Sequence, residues 1–185
     1  MVTIRPEGPD DAEAVAGVHV RAWQACYAGI MPDEVLSRLN VAVWAQRRRD
    51  LGTADGDHPF RTLLAEADDA AVIGFTTVGP YRNNQDRDDL DHRYAEILTM
   101  YVEPAHWGTG AGRELMAAAV AELTGRGWAE VRLWVLADNR RARRFYERAG
   151  LAADGETSTY ELQRSVGRPP LGLTELRYAA RLGEL

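Results

Sequence analysis

Apolar residues along the chain recur with two periods, and the switches between them outline the fold. Val2 to Arg5 alternates as a short strand. Pro9 and Asp10 announce a helix whose inner face is Val15, Val18, His19, Ala22 and Ala25/Cys26, with Asp10 and Glu13 forming an acidic analogue of a capping box. A second helical region starts at Pro32, runs through Val35, Leu36 and Leu39, and continues past a break to about Arg49. Gly52 to Pro59 reads as a polar turn. Phe60 to Glu66 and Ala71 to Val78 are β-rich and flank Asp68-Asp69, which predicts a hairpin. Arg82 to Arg93 reads as a charged loop and Tyr94 to Val102 as the next strand. Gly110 to Gly125 is a helix with Leu115, Met116, Ala119, Val120 and Leu123 inward, and Glu130 to Leu136 is a nearly continuous buried strand. Arg140 to Ala149 forms a short helix ended by Gly150. Thr157 to Gln163 and Leu173 to Ala180 are tail strands joined by a Gly-Pro-rich connection. The order β, α, α, β, β, β, α, β, α, β, β predicts an α/β protein with a mixed sheet flanked by helices. No linker or repeat divides it, so residues 1–185 are expected to form one domain.

Composition narrows the functional classes. Cys26 is alone, which removes a disulfide framework, and no His, Cys and carboxylate cluster has metal spacing, so no metal is expected. No apolar run approaches the roughly 18 residues that span a bilayer. Met1 to Pro6 lacks a basic and an apolar signal region, so a cytoplasmic protein without membrane association is expected. All 22 basic side chains other than histidine are arginine, and the net charge of −6 argues against nucleic acid as a partner.

The segment Leu98 to Leu115 carries the chemistry. A strand runs to Pro104, and glycines at 108, 110 and 112 then open onto a helix. The first amides of a helix lack intrahelical partners and sit at the positive end of its dipole, where phosphate binds. A P-loop needs a lysine, which this chain lacks, and a dinucleotide fingerprint belongs on the first βα unit of an alternating chain, not mid-chain.

Trp107-Gly108-Thr109-Gly110-Ala111-Gly112 instead resembles the pyrophosphate loop of the GNAT acyl-coenzyme A N-acyltransferases, with Trp107 in a slot usually held by Gln or Arg. The block Leu133 to Leu151, containing Asn139, Ala142, Phe145, Tyr146 and Gly150, is similar to the family's second motif, with Leu151 replacing an aromatic. The resemblance implies a mostly antiparallel sheet whose fourth and fifth strands splay apart, and acetyl-CoA as co-substrate. Pantetheine is then expected on the backbone of Met100, Tyr101 and Val102, and the diphosphate on Trp107, Gly108, Thr109, Gly110, Ala111 and Gly112. Asn139 is expected to meet pantetheine or to cap the helix that follows it, and Arg143 to reach the phosphates. The amide near Met100 is the implied oxyanion donor, a role that uses no side chain.

Tyr146 is the implied general acid. A phenol near 10 can protonate a thiolate whose acid titrates near 8.5. Glu96 occupies the position of a catalytic glutamate in several family members. An unperturbed carboxylate and a lysine-like ammonium differ by roughly 6 pKa units, about 8 kcal/mol, so a base there needs burial or a water relay. The alternative for Glu96 is a strand-edge carboxylate that attracts the amine. Trp23, Tyr27 and Asp91 are the candidate acceptor contacts, Asp91 within an acidic run that suits a cationic acceptor. The expected reaction is acetyl transfer to a small primary amine. Peptide N-terminal acetylation and a non-catalytic coenzyme A sensor are the alternatives, and a homodimer paired through the tail strands is among the expectations.

Overall fold

The computed structural model describes residues 1–52, 58–164 and 167–185. Most of the polar turn expected at Gly52 to Pro59, and part of the connection between the tail strands, lie outside the described residues. The elements are β1 (Thr3–Pro6), α1 (Ala12–Cys26), α2 (Asp33–Leu36), α3 (Val41–Leu51), β2 (Arg61–Glu66), β3 (Val72–Arg82), β4 (Leu90–Val102), α4 (Ala111–Gly125), β5 (Glu130–Leu136), α5 (Arg140–Arg148), β6 (Ala152–Leu162) and β7 (Leu171–Arg181). The strands form one sheet in the order β1-β2-β3-β4-β5-β7-β6, in which only β4 and β5 run parallel.

Alternation along the strands divides the core between the two faces. Ala65, Ile73 and Val102 pack under Ala111 and Leu115 of α4, and Ala95, Ile97, Val131 and Leu133 join Met116, Leu123 and Tyr146 on that same face. Leu64, Phe75 and Tyr101 point the other way, onto Val15 and Val18 of α1. Beyond α1, Met31 and Leu36 close over Leu136 and Leu162, so the segment after α1 covers the far end of β5 and the tail strands.

Two irregularities in β4 position the site. Val78 of β3 pairs with Ile97 and Thr77 pairs with Thr99, so Leu98 is an extra residue that bulges the strand. On its other side β4 pairs with β5 only at Ala95–Val131 and Glu96–Arg132. Beyond that point β4 stays with β3 and β5 with β7, and a wedge opens between them.

Several boundaries differ from the sequence reading. Asn40 breaks the second helical region, its Oδ1 accepting from the Val43 amide at 3.2 Å, and α3 starts afresh. Asp11, not Asp10, is the N-cap residue of α1, but its side chain serves the turn before it, accepting from the Gly8 amide at 2.7 Å and pairing with Arg5. The charged loop is shorter than expected, because β3 runs on to Arg82 and β4 begins at Leu90. Pro80 is tolerated there because β2 stops at Arg61, opposite Val78, so its missing N–H faces no ladder. The strand β6 begins at Ala152 and forms a largely exposed edge.

Candidate active site

The donor side is built from backbone. Gly110 caps α4 at φ +101°, a conformation that side chains resist, and Gly108 sits at φ +79°. Among the described residues the amides of Gly108, Gly110, Ala111 and Gly112 have no hydrogen-bond partner, so four donors gather at the positive end of the helix. A Cβ on Gly112 would come within 3.3 Å of the Phe145 ring, which ties the loop to α5. This cradle fits a diphosphate.

Ladder geometry orients the strand above it. Glu103 donates its amide to Ile73 at 2.8 Å, and bonded residues alternate in an antiparallel pair, so Tyr101 and Thr99 bond β3 while the Met100 and Val102 amides face the wedge. The Val102 carbonyl is already engaged, accepting from the Trp107 indole at 2.8 Å. Trp107 thus pins the loop to the strand, and the Arg141 guanidinium lies 3.8 Å above its ring. A cation is thereby restored beside a loop that has a tryptophan in the usual Gln or Arg slot.

Arg143 departs from the expected phosphate contact. Its Nε donates to the Tyr178 hydroxyl at 3.1 Å and its Nη1 to the Ala137 carbonyl at 3.0 Å, so it braces α5 against the sheet. Asn139 is buried and caps α5, its Oδ1 accepting from the Ala142 amide at 3.1 Å.

Tyr146 is buried on α5, and its hydroxyl has no hydrogen-bond partner among the described residues. Burial, then the neighbouring Tyr101 and Cys26, push its phenol up, so it stays protonated at any working pH. Tyr101, pushed up to about 12 by burial, shares a 3.3 Å hydrogen bond with the Tyr27 hydroxyl. Trp23 meets Tyr27 edge-on at 5.2 Å, and its indole hydrogen-bonds toward Tyr101. Tyr27, Tyr101 and Tyr146 therefore converge at the wedge from α1, β4 and α5.

Glu96 is only 1% exposed and lies on a central strand, so the strand-edge alternative is corrected. Its Oε2 accepts from the Arg82 amide at 2.9 Å and Nε at 3.0 Å, and its Oε1 from Arg82 Nη2 at 2.7 Å. Both oxygens are committed, which opposes a role as an open base.

The sequence profile of the Acetyltransferase (GNAT) family matches residues 22–151, more than half of the chain and the span holding the wedge, the glycine loop and α5. The chain belongs to the GNAT acetyltransferase family. An uncharacterized N-acetyltransferase of Bacillus subtilis is 27% identical over 139 residues, covering 75% of this chain and 74% of the relative. A probable N-acetyltransferase of Mycobacterium tuberculosis is 27% identical over 179 residues, covering 96% and 95%. The fold is similar to the PaiA N-acetyltransferase of Thermoplasma acidophilum, solved in complex with coenzyme A, with a TM-score of 0.75 at 20% identity over 98% of this chain and 99% of that one.

The acidic run around the start of β4 is occupied with its own loop. Asp91 is held by the Arg93 amide at 3.0 Å and its guanidinium at 2.7 Å, and that hydrogen bonding keeps its carboxyl at about 2. A cleft of about 600 Å³ opens beside it, lined by Tyr81, Gln85, Asp91, Arg132, Trp134 and Arg177. The sequence reading missed Glu175, a buried carboxylate on β7 to which Gln85 donates at 2.6 Å. A lone Glu in an alternating tail strand carries no local signal. Among the described residues no group of three His, Cys, Asp or Glu could hold a metal ion, and no helix is long and apolar enough to cross a membrane.

Proposed function

We propose that this GNAT enzyme transfers acetyl from acetyl-CoA to a primary amine of a small molecule by direct attack. One observation carries the reading: β4 and β5 separate after two paired residues, leaving the Met100 amide and the unengaged Tyr146 hydroxyl at the same opening. The glycine-loop amides and Arg141 hold the diphosphate, and pantetheine lies along the Met100 and Val102 amides. The Met100 N–H stabilises the charge that develops on the thioester oxygen. Tyr146, kept protonated by burial, gives its proton to the departing sulfur. Trp23 and Tyr27 line the acceptor side. The packing of Met31 and Leu36 over Leu136 and Leu162 bounds that side, which favours a small acceptor over an extended peptide. Glu96 supplies a buried charge that fixes Arg82, and it acts on the amine only through water. A homodimer through the open edge of β6 and a cytoplasmic location belong to the same reading.

Thiol release from acetyl-CoA with a panel of amines and peptides tests it. Tyr146→Phe is expected to lower kcat by on the order of 10²–10⁴ while coenzyme A affinity holds. Full turnover in that variant at every pH removes the acid role. A wild type that binds acetyl-CoA yet releases thiol with no amine or peptide points instead to a coenzyme A sensor.

A further inference from the structure

Three glutamates are buried among the described residues, Glu7, Glu96 and Glu175, and they are neutralised differently. Glu7 pairs with Arg48 at 2.5 Å and Glu96 with Arg82 at 2.7 Å. Among the described residues Glu175, 8% exposed, has no cation within ion-pair distance. Its Oε2 accepts from the neutral Gln85 amide at 2.6 Å, and its Oε1 has no partner among the described residues. The nearest arginine along its own strand face, Arg177, is taken by Asp154 at 2.7 Å. A buried carboxylate without a counter-cation costs stability, and such groups gather where a ligand or a reaction needs them.

Its placement ties it to the wedge. Glu175 stands opposite Leu136 of β5 and Ser158 of β6, on the sheet face away from the Tyr178 core. Gln85 reaches it from the β3–β4 connection, and it also lines the cleft beside Asp91 together with Trp134 and Arg177. The groups that face it are Gln85, Arg82, Glu96 and Tyr160. Tyr160 and Tyr146 both lie within electrostatic reach of Tyr101, so titratable groups run from the sulfur side of the wedge to this carboxylate. Among the described residues Thr99 Oγ1 and Trp134 Nε1 are buried without partners on β4 and β5, the strands that border the opening.

We propose that Glu175 binds the acceptor's ammonium group and takes its proton before attack. This rests on the acetyltransferase reading above. The ammonium loses one proton to Oε1, and the freed nitrogen lone pair forms the bond to the acetyl carbon. The carbon–sulfur electron pair leaves with sulfur, which takes the Tyr146 phenolic proton. The tyrosine oxygen then recovers the second proton from nitrogen, and the Glu175 proton passes to solvent. Burial, reinforced by Glu96 and opposed by Gln85 and Arg82, raises the Glu175 carboxyl and so narrows its mismatch with an amine.

Steady-state rates of the full chain with acetyl-CoA and a panel of primary amines, measured as a function of pH, test the assignment. Glu175→Gln is expected to lower kcat/KM for the amine by on the order of 10²–10⁴ and to abolish the acid limb of its pH profile. Coenzyme A affinity should stay at the wild-type value. Gln85→Leu removes a donor that favours the ionised carboxylate and should move the acid limb to higher pH. Glu96→Gln removes a charge that raises the Glu175 carboxyl and should move the limb to lower pH without abolishing it. An unchanged limb in both Glu175→Gln and Gln85→Leu, or a limb lost only in Glu96→Gln, overturns the proposal. Should Glu175→Gln fail to fold, a limb that stays in place in Gln85→Leu overturns it alone. A wild type that acetylates no amine fails the acetyltransferase reading itself, whereas an active wild type with an indifferent Glu175→Gln fails only this assignment.

Discussion

The two sides of the wedge are made of different materials. The donor side is backbone: four free amides at the start of α4 and the strand amides of Met100 and Val102, oriented by glycine dihedrals and a β-ladder. The proposed acceptor side is side chain. Trp23, Tyr27, Tyr101, Glu96, Tyr160 and Glu175 come from α1, β4, β6 and β7, with Gln85 from a loop. A backbone site is set by local conformation and tolerates exchange of most neighbours. A side-chain site holds buried polar groups in fixed protonation states, so its stability and chemistry depend on pH. The donor side should therefore respond to backbone substitutions and the acceptor side to acid.

His19 gives the largest expected effect. Its ring lies 4.4 Å from Trp44 and 4.9 Å from Tyr101, and its Nε2 is buried without a partner. Burial, then the charge of Arg48, push its pKa down to about 3. The unfolded chain takes up that proton near 6.5, so stability is complete above this value and falls as pH drops toward about 3. The loss should total about 4–5 kcal/mol at roughly 1.4 kcal/mol per pKa unit. His19→Phe keeps an aromatic ring and should remove that part of the acid slope in urea unfolding. Equal slopes in the two proteins would mean that His19 is protonated in the fold and that the acceptor wall is wetter than its packing indicates.

Gly110 probes the other side. At φ +101° any side chain strains the backbone by about 1–3 kcal/mol. Gly110→Ala should relax the turn and misdirect the amides, weakening coenzyme A binding by about tenfold, equivalent to about 1.4 kcal/mol. The KM for the amine should stay near its wild-type value. Calorimetric titration with coenzyme A reads the first effect and amine kinetics the second. A raised amine KM with intact coenzyme A affinity would reverse the division between the sides.

The same contrast explains what could be read from the residues alone. The glycine loop, α4 and β5 are contiguous, so pattern and spacing expose them, and the Asn139–Tyr146 block is contiguous too, so its resemblance to the family motif shows in the sequence. Trp107 was visible as a departure, but its grip on the Val102 carbonyl and its stack under Arg141 join separate elements and needed the fold. The strand reading stops at Val78, short of Pro80, and the charged Asp91-His92-Arg93 reads as loop, because the rules for strand residues describe central ladders. Here they extend a two-stranded ribbon in which Tyr81 pairs with Asp91 and Arg82 with Leu90. Glu96 was found by position, yet its ion pair with Arg82 depends on that same extension, which brings the two residues together across the ribbon. Glu175 gave no signal because what distinguishes it, burial without a cation, is a property of five elements at once.

Asp91 offers the smallest effect and the sharpest limit on the acceptor side. An acidic run before β4 suggests a funnel for cationic acceptors, and Asp91 does line the cleft. Its charge, however, is matched by the Arg93 guanidinium at 2.7 Å and by the Arg93 amide, and hydrogen bonding to Arg93 holds the carboxyl at about 2. Because the folded value is depressed, the pair's contribution is present above the ordinary carboxylate range and disappears only as pH falls toward 2. Arg93 is 79% exposed, so solvent screens the pair, and the acceptor meets nearly no net charge there. Asp91→Asn should therefore change the amine KM by less than about twofold, with little dependence on salt. Glu175→Gln, buried and without a cation, should change the same rate far more. A salt-sensitive rise in KM comparable to that of Glu175→Gln would extend acceptor recognition out to the loop and erase the distinction between a neutralised rim and an unpaired interior carboxylate.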